Sequence, residues 1–152
     1  MNKQNEIDLH KILVAADSAT AAAAKALLDR FRPENIDSLE AFYKSSNALV
    51  TGADLASDKS IIRILKAAGV PGRILSEESE TSLSSDQSLT WLVDPLCGTV
   101  PFSTGMDHWG VSVALRRHGD LIAASVVLPS LGEHLSGIKG GGVIVKGSPF
   151  SS

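Results

Sequence analysis

The sequence lacks several features that mark whole classes of protein. It has one cysteine, Cys97, so no disulfide can form within the chain, and a reducing compartment suits it better than a disulfide-stabilised secreted scaffold does. No apolar run approaches the roughly 20 residues that cross a bilayer. The polar segment 1–10 also lacks the apolar core of a signal peptide. We therefore expect a cytoplasmic protein with no membrane partner.

An excess of positive charge is also missing. Fourteen Lys and Arg residues against 17 Asp and Glu residues give a net charge of −3 and a pI near 5.7. A nucleic-acid-binding surface is usually basic and clustered, so we expect no nucleic-acid partner. The composition, 43% hydrophobic and 20% charged, is that of an ordinary globular protein. With no internal linker visible, we expect residues 1–152 to form a single domain.

Two helical patterns precede a series of strand patterns. Residues 5–31 carry apolar side chains at three- and four-residue steps, and Pro33 ends the pattern. A second helix is expected to begin near Ser57, a suitable cap, and to stop at Gly69, while 79–88 is expected to be a polar loop. Strands are expected at 73–76, 90–93, 109–116, 121–128, 133–138 and 142–146. These elements predict an α+β fold, with two N-terminal helices layered on a largely antiparallel sheet.

The stretch 91–103, Trp-Leu-Val-Asp-Pro-Leu-Cys-Gly-Thr-Val-Pro-Phe-Ser, is the most informative part of the chain. An apolar run ends in Asp94, and a proline, a glycine and a hydroxyl follow within five residues, which indicates a carboxylate at a strand end followed by a sharp turn. Asp54 and Glu77 lie in comparable positions beside predicted elements. Because Mg²⁺ prefers rigidly held carboxylate and carbonyl oxygens, the three acids together are candidate ligands, although each alone would be an ordinary surface group.

This stretch resembles the metal-binding motif of the inositol monophosphatase superfamily, Asp-Pro-(Ile/Leu)-Asp-Gly-Thr-x-Asn-Phe. Residues 44–54 are similar to the family's Val-Thr-x-x-Asp segment, 74–79 to its Gly-Glu-Glu segment, and 107–115 to the strand after the motif; 119–147 continue the likeness. The resemblance implies the N-terminal half of an αβαβα sandwich, without the C-terminal α/β half. A chain of this kind is expected to form a homo-oligomer or to associate with such a C-terminal half.

For single residues, the resemblance implies a magnesium-dependent phosphatase site. Glu77, Asp94 and the Leu96 backbone carbonyl match ligands of the catalytic Mg²⁺, a place that Mn²⁺ or another divalent cation could also take. Thr99 and Asp54 match the catalytic pair that orients the attacking water.

The resemblance also implies a phosphate-binding loop. Gly98 and Thr99 match the backbone N–H groups that hold the substrate phosphate at the start of a short helix. The implied reaction is hydrolysis of a small phosphorylated substrate by metal-activated water. That substrate is a phosphate monoester, either inositol-phosphate-like or a related sugar or nucleotide phosphate.

Two positions depart from the motif: Cys97 replaces its second Asp, and Pro101 replaces its Asn. The family's acid at position 97 is a metal ligand, whereas a thiol is mostly neutral near pH 7 and sulfur is too soft for Mg²⁺. A cysteine-phosphatase mechanism is excluded, since it needs an arginine six residues after the cysteine, where Ser103 stands. The alternative to an active enzyme is therefore a catalytically impaired member that binds a phosphorylated ligand or a partner protein.

Overall fold

The computed structural model describes residues 6–34, 42–43, 49–145 and 148–149, with the backbone alone at 42–43, 49–50 and 148–149. The α-helices of this part are α1 (Leu9–Leu28), α2 (Gly52–Ala67) and α3 (Thr99–Ser103). The strands are β1 (Phe42–Tyr43), β2 (Leu49–Val50), β3 (Arg73–Ser76), β4 (Glu80–Ser82), β5 (Leu89–Cys97), β6 (Gly110–Arg117), β7 (Asp120–Leu128), β8 (Glu133–Ile138), β9 (Val143–Val145) and β10 (Ser148–Pro149). None of the helices described is long and apolar enough to cross a membrane.

Eight of the described strands form one sheet in the order β10-β9-β8-β7-β6-β5-β3-β4, and β1 pairs with β2 separately. Every neighbouring pair in the large sheet is antiparallel except β3 and β5, which run parallel. The carboxyl ends of β3 and β5 therefore meet at one edge of the sheet, with Ser76 opposite Val93. This arrangement confirms the α+β prediction of helices on a largely antiparallel sheet.

Helices α1 and α2 cover one face of this sheet and enclose the hydrophobic core. Every second residue of β5 to β7 points toward them, as the burial of Trp91, Val113 and Ala123 illustrates. Trp91 and Trp109 are almost completely buried, and the Trp91 indole N–H donates to the Pro71 carbonyl at 3.0 Å. Both tryptophans are therefore core residues.

One group of polar side chains lies between α1 and the sheet, and we call Asp17, Thr20, Ser125, His134 and Ser136 the α1 polar cluster. Ser125 Oγ donates to Asp17 Oδ1 at 2.7 Å, and Ser136 Oγ donates to Asp17 Oδ2 at 3.2 Å. His134 Nε2 lies 3.1 Å from Asp17 Oδ1 and 2.9 Å from Ser125 Oγ, and Thr20 Oγ1 lies 2.9 Å from Ser125 Oγ. Because a carboxylate has no hydrogen to donate, the hydrogen between His134 and Asp17 belongs to His134 Nε2.

The first helix is shorter than the predicted 5–31. Asp8 is its N-cap, and its Oδ1 accepts hydrogen bonds from the backbone N–H groups of His10 and Lys11 at 3.1 Å. The helix ends at Leu28 with Asp29 as its C-cap, and the chain then turns, with a positive φ of 52° at Arg32. The apolar period continues beyond both ends, so periodicity alone overestimates the length.

The prediction that Ser57 caps the second helix is wrong. Helix α2 begins five residues earlier, where Thr51 and Asp54 form a reciprocal capping box. Ser57 is fully buried inside the helix, and its hydroxyl donates to the Pro95 carbonyl of β5. A serine that is suited to capping is used here to join α2 to the motif strand.

Two strand boundaries also differ from expectation. Strand β5 covers Leu89–Cys97 rather than 90–93, so Asp94 and Cys97 lie within the strand, separated by an irregularity in its pairing with β6. The expected loop 79–88 contains β4, which pairs with β3. The backbone hydrogen bonds that each strand gains from its neighbours outweigh the weak local preference of these polar and proline-containing segments.

Candidate functional site

The buried carboxylate of Asp54 links α2 to the motif loop. Its Oδ2 accepts from the Thr51 backbone N–H at 2.9 Å and from Thr51 Oγ1 at 2.6 Å, because both residues form the helix cap. Its Oδ1 accepts from Thr99 Oγ1 at 3.0 Å, across 45 residues of sequence. The side chain is only 2% exposed. One oxygen thus fixes the orientation of the carboxylate, and the other is held toward Thr99.

Thr99 begins α3 directly after a tight turn at Gly98. Gly98 has a φ of 92°, and a Cβ at this position would lie 2.8 Å from the His108 carbonyl oxygen, so only glycine fits without a shift. Thr99 Oγ1 also lies 3.3 Å from the Leu96 carbonyl oxygen. Of these two acceptors Asp54 is the nearer to the single hydroxyl hydrogen, and the lone pairs of Oγ1 remain available to accept a hydrogen bond.

Glu77 and Asp94 come together at the carboxyl edge of the parallel pair β3 and β5. The Glu77 backbone N–H donates to the Val93 carbonyl at 3.4 Å, which continues the pairing one residue beyond β3. Both acids line a cavity of about 360 Å³ on the face of the sheet opposite α1 and α2, together with Leu92, Ser112 and other residues of β3, β5 and β6. The topology therefore brings two acids that are 17 residues apart to one opening.

Asp58 supports the segment that follows Glu77, and sequence reasoning missed it. It lies one helical turn after Asp54 and is 5% exposed. Its Oδ2 accepts from Ser79 Oγ at 2.7 Å. Its Oδ1 is buried and has no hydrogen-bond partner within the described part of the chain. The four-residue spacing from Asp54 places both acids on one helix face and was a usable signal.

Cys97 lies beside the two acids. The residue is exposed, yet partial desolvation of its sulfur, the charge of Asp94, a hydrogen bond to Asp94 and the charge of Glu77 together raise the pKa of its thiol. A thiol with a raised pKa stays protonated near pH 7 and donates to the carboxylate. Position 97 therefore carries a neutral hydrogen-bond donor where the motif has an acid.

A hard divalent cation requires oxygen ligands, and part of the site supplies them. Glu77, Asp94 and the Leu96 carbonyl offer oxygens, the ligands that Mg²⁺ prefers. Within the described residues, no group of three or more His, Cys, Asp and Glu side chains is arranged to hold a metal ion. Oxygens are the donor type that suits a hard cation, whereas the protonated sulfur of Cys97 does not fit the role that the resemblance implies for that position.

The sequence-derived site residues thus fall into two groups, and each group draws on separate segments of the chain. Asp54, Thr99 and Leu96 are joined by direct hydrogen bonds, and Glu77, Asp94 and Cys97 form an acidic group beside them.

Comparison with known proteins agrees with the motif. The family model described as the inositol monophosphatase family matches residues 8–152. Nus factor SuhB of Salmonella typhimurium is 32% identical over 139 residues, which cover 91% of this chain and 51% of the relative. Nus factor SuhB of Pasteurella multocida is 34% identical over 109 residues, or 72% of this chain and 41% of the relative. The chain therefore spans about half the length of the curated relatives it matches.

Solved structures share the fold over the same half. The extragenic suppressor protein SuhB from Bartonella henselae superposes with a TM-score of 0.83 at 26% identity, over 91% of this chain and 53% of that one. An IMPase from Thermotoga maritima superposes with a TM-score of 0.75 at 22% identity, over 91% of this chain and 52% of that one. Because the family model matches residues 8–152 of this chain, the chain belongs to the inositol monophosphatase family.

Proposed function

We propose that the chain provides the water-orienting and phosphate-facing part of an enzyme that hydrolyses a small phosphate monoester. The observation that carries this proposal is the hydrogen bond of 3.0 Å between Thr99 Oγ1 and the buried carboxylate of Asp54. With its hydrogen directed to Asp54, Thr99 Oγ1 accepts a hydrogen bond from a water molecule. The water then presents a lone pair toward the phosphorus, and Asp54 receives the proton through Thr99.

Charge supports a divalent cation as the second part of the machinery. The chain has no lysine or arginine between Arg73 and Arg116, while Glu77 and Asp94 lie at the site. A phosphate dianion is repelled by these carboxylates unless a cation lies between them. Glu77, Asp94 and the Leu96 carbonyl would hold Mg²⁺, or Mn²⁺ in its place. Such an ion neutralises phosphate charge and acidifies bound water.

Backbone N–H groups supply the remaining contact with the phosphate. The positive φ of Gly98 turns the chain so that α3 starts at Thr99, and the first N–H groups of a helix have no partners within that helix. We propose that the N–H groups of Gly98 and Thr99 bind the phosphate oxygens. These contacts recognise only the phosphate, so the substrate class is a small inositol, sugar or nucleotide phosphate.

Phosphate release from a panel of inositol, sugar and nucleotide monophosphates, with and without Mg²⁺, tests the proposal. Thr99→Val removes the hydroxyl at nearly constant volume and is expected to lower kcat by about 10²-fold or more. Thr104→Val is the matched control, because Thr104 Oγ1 bonds only to nearby carbonyls of α3. Equal kcat in Thr99→Val and the unmodified chain would refute the assignment of Thr99.

A second candidate function is ligand or partner binding without turnover, and Cys97 is the observation that favours it. A protonated thiol hydrogen-bonded to Asp94 takes a metal-ligand position and competes for the carboxylate. This candidate requires that the chain release no phosphate from the panel. Calorimetry with inorganic phosphate and Mg²⁺ then distinguishes a phosphate-binding domain from one that binds only proteins.

The open face of the sheet supports an association with further protein. The face opposite α1 and α2 presents Leu75 in β3, Leu92 in β5 and Val143 in β9, and Leu75 and Val143 are 41% and 46% exposed. We propose that a second copy or a C-terminal α/β half of the family type covers this face, in a cytoplasmic protein. Sedimentation at micromolar concentration tests the first option, and a monomer with a cooperative unfolding transition would contradict it.

A further inference from the structure

Arg32 makes an unusual connection between the end of α1 and the segment that follows α3. Its Nε and Nη2 both donate to the Gly105 carbonyl, at 3.1 and 3.0 Å, and Nη2 lies 3.4 Å from Asp107 Oδ1. The guanidinium carbon is 4.8 Å from the centre of the Phe31 ring. With a φ of 52°, Arg32 is one of two described residues other than glycine with a positive φ, the other being His118.

A positive φ in a residue with a Cβ is unfavourable and persists only where the surrounding contacts hold it. Arg32 and Asp107 are 59% and 45% exposed, so their ion pair contributes little. The two-pronged bond to the Gly105 carbonyl is geometrically specific, because the rigid, planar guanidinium fixes the directions of its Nε and Nη2 N–H groups. The unfavourable backbone of Arg32 is therefore coupled to the position of Gly105.

Gly105 in turn belongs to the end of α3. Its N–H donates to the Phe102 carbonyl at 3.1 Å, and the neighbouring Met106 N–H donates to the Pro101 carbonyl at 2.9 Å. Phe102 also packs against Phe31 and Trp109, with ring centres 5.4 and 4.9 Å away. Phe31 thus contacts α3 through the ring of Phe102, and Arg32 contacts the segment just after α3 through the carbonyl of Gly105.

Helix α3 needs such support, because five residues are too few to form a stable helix alone. Its N-cap, Gly98, has no side chain to cap it. At this N-terminal end, Thr99 reaches Asp54 only if α3 has the correct orientation. We propose that Arg32 is a positioning residue that holds α3 so that Thr99 meets Asp54. This role rests on the proposed function, in which Thr99 orients the attacking water.

Hydrogen exchange of backbone amides tests the role independently of activity. Arg32→Gly removes the side chain and accepts the positive φ, so the chain is expected to fold. The Phe102 and Thr104 amides, which donate to the Gly98 and Val100 carbonyls, are expected to exchange about tenfold faster, while amides within α2 keep their rates. Arg32→Lys retains the charge and is expected to restore only part of the protection.

Arg30→Ala is the matched control, since the Arg30 guanidinium donates to the Ala26 carbonyl of α1, at 2.9 Å, and within the described residues makes no such bond to the end of α3. Unchanged exchange of the α3 amides in Arg32→Gly, or an equal increase in Arg30→Ala, would overturn the positioning role. Where the unmodified chain releases phosphate, Arg32→Gly is expected to lower kcat with little change in KM. An inactive unmodified chain would refute the proposed function alone, because the exchange experiment still decides whether Arg32 holds α3.

Discussion

Two regions of the molecule combine acids with hydroxyl groups, and they differ in where the acids lie, between a helix and the sheet in one region and along an open cavity in the other. In the α1 polar cluster, Asp17 accepts hydrogen bonds on both carboxylate oxygens, from Ser125, Ser136 and His134. At the candidate site, by contrast, Glu77 and Asp94 line a cavity on the face of the sheet opposite α1 and α2. The same residue types thus form a hydrogen-bonded network between α1 and the sheet in one place and an open acidic site in the other.

The comparison shows that residue type alone does not identify a catalytic group. Asp17, Ser125 and His134 have the composition of a hydrolase triad, but Ser125 is fully buried and donates its hydrogen to Asp17 rather than to a base. A nucleophile needs access to substrate and a base that takes its proton. We therefore interpret the α1 polar cluster as structural, while the chemistry that we propose involves the Asp54–Thr99 pair.

The largest expected effect separates the two regions by activity. Asp54→Asn should lower the rate of phosphate release by about 10²-fold or more, because the amide cannot receive the proton that Thr99 passes on. Asp17→Asn should change this rate less than about threefold, since its cluster has no part in the proposed chemistry. Rates at saturating substrate decide, and a comparable loss in both variants would remove the distinction between the regions.

The next effect concerns stability and reverses the comparison. Asp17→Ala leaves the hydroxyls of Ser125 and Ser136 without their acceptor and should lower the free energy of unfolding by about 1–3 kcal/mol. Asp29→Ala, which removes an exposed pair with Lys25, should cost less than about 1 kcal/mol. Urea denaturation measures the free energy of unfolding of both variants, and an equal loss in the two would show that the α1 polar cluster does not stabilise the fold.

A smaller effect is expected for metal affinity at the site. Cys97→Asp replaces a soft, protonated ligand with a hard one and should raise the affinity for Mg²⁺ by about tenfold. Cys97→Ser is the control, because it removes the sulfur without adding charge. In the unmodified chain Mg²⁺ should bind weakly, with Mn²⁺ or Zn²⁺ tolerated relatively better. Tight and Mg²⁺-selective binding to the unmodified chain, measured by calorimetry, would contradict this expectation.

The smallest effect follows from the raised pKa of the Cys97 thiol. Because the thiolate is the reactive form, alkylation by iodoacetamide at pH 8 should be slower than for a free cysteine. Asp94→Asn removes both the nearby charge and the charged acceptor, so the pKa should fall and alkylation should accelerate. Rates measured across pH 7 to about 10 check the direction. A slower reaction in Asp94→Asn would refute the proposed contact between thiol and carboxylate.

Much of the fold follows from short-range patterns. The strands at 73–76 and 133–138 agree with the predicted bounds. The motif at 91–103 led directly to the family, because its acid, turn glycine and hydroxyl lie within a few residues of one another. Patterns of this kind are visible in sequence because the contacts they encode are local.

The cap of α2 shows where local patterns fail. Thr51 and Ser57 are both acceptable caps, and the choice depends on Asp54 bonding back to Thr51 while Ser57 is buried against Pro95. Two candidates of similar intrinsic preference are separated only by what the helix packs against. Burial of Ser57 beneath β5 therefore decides the start of the helix.

The sequence alone accounts for the fold class, the motif acids and the hydroxyl of Thr99, since each depends on neighbours within one segment. The tertiary structure decides the rest. It joins Thr99 to Asp54 across 45 residues and Arg32 to Gly105 across 73, and it builds the α1 polar cluster from residues up to 119 apart. Such contacts arise only when helices pack on a sheet with fixed register. Their hydrogen bonds then follow from burial and strand order, which no local pattern in the chain records.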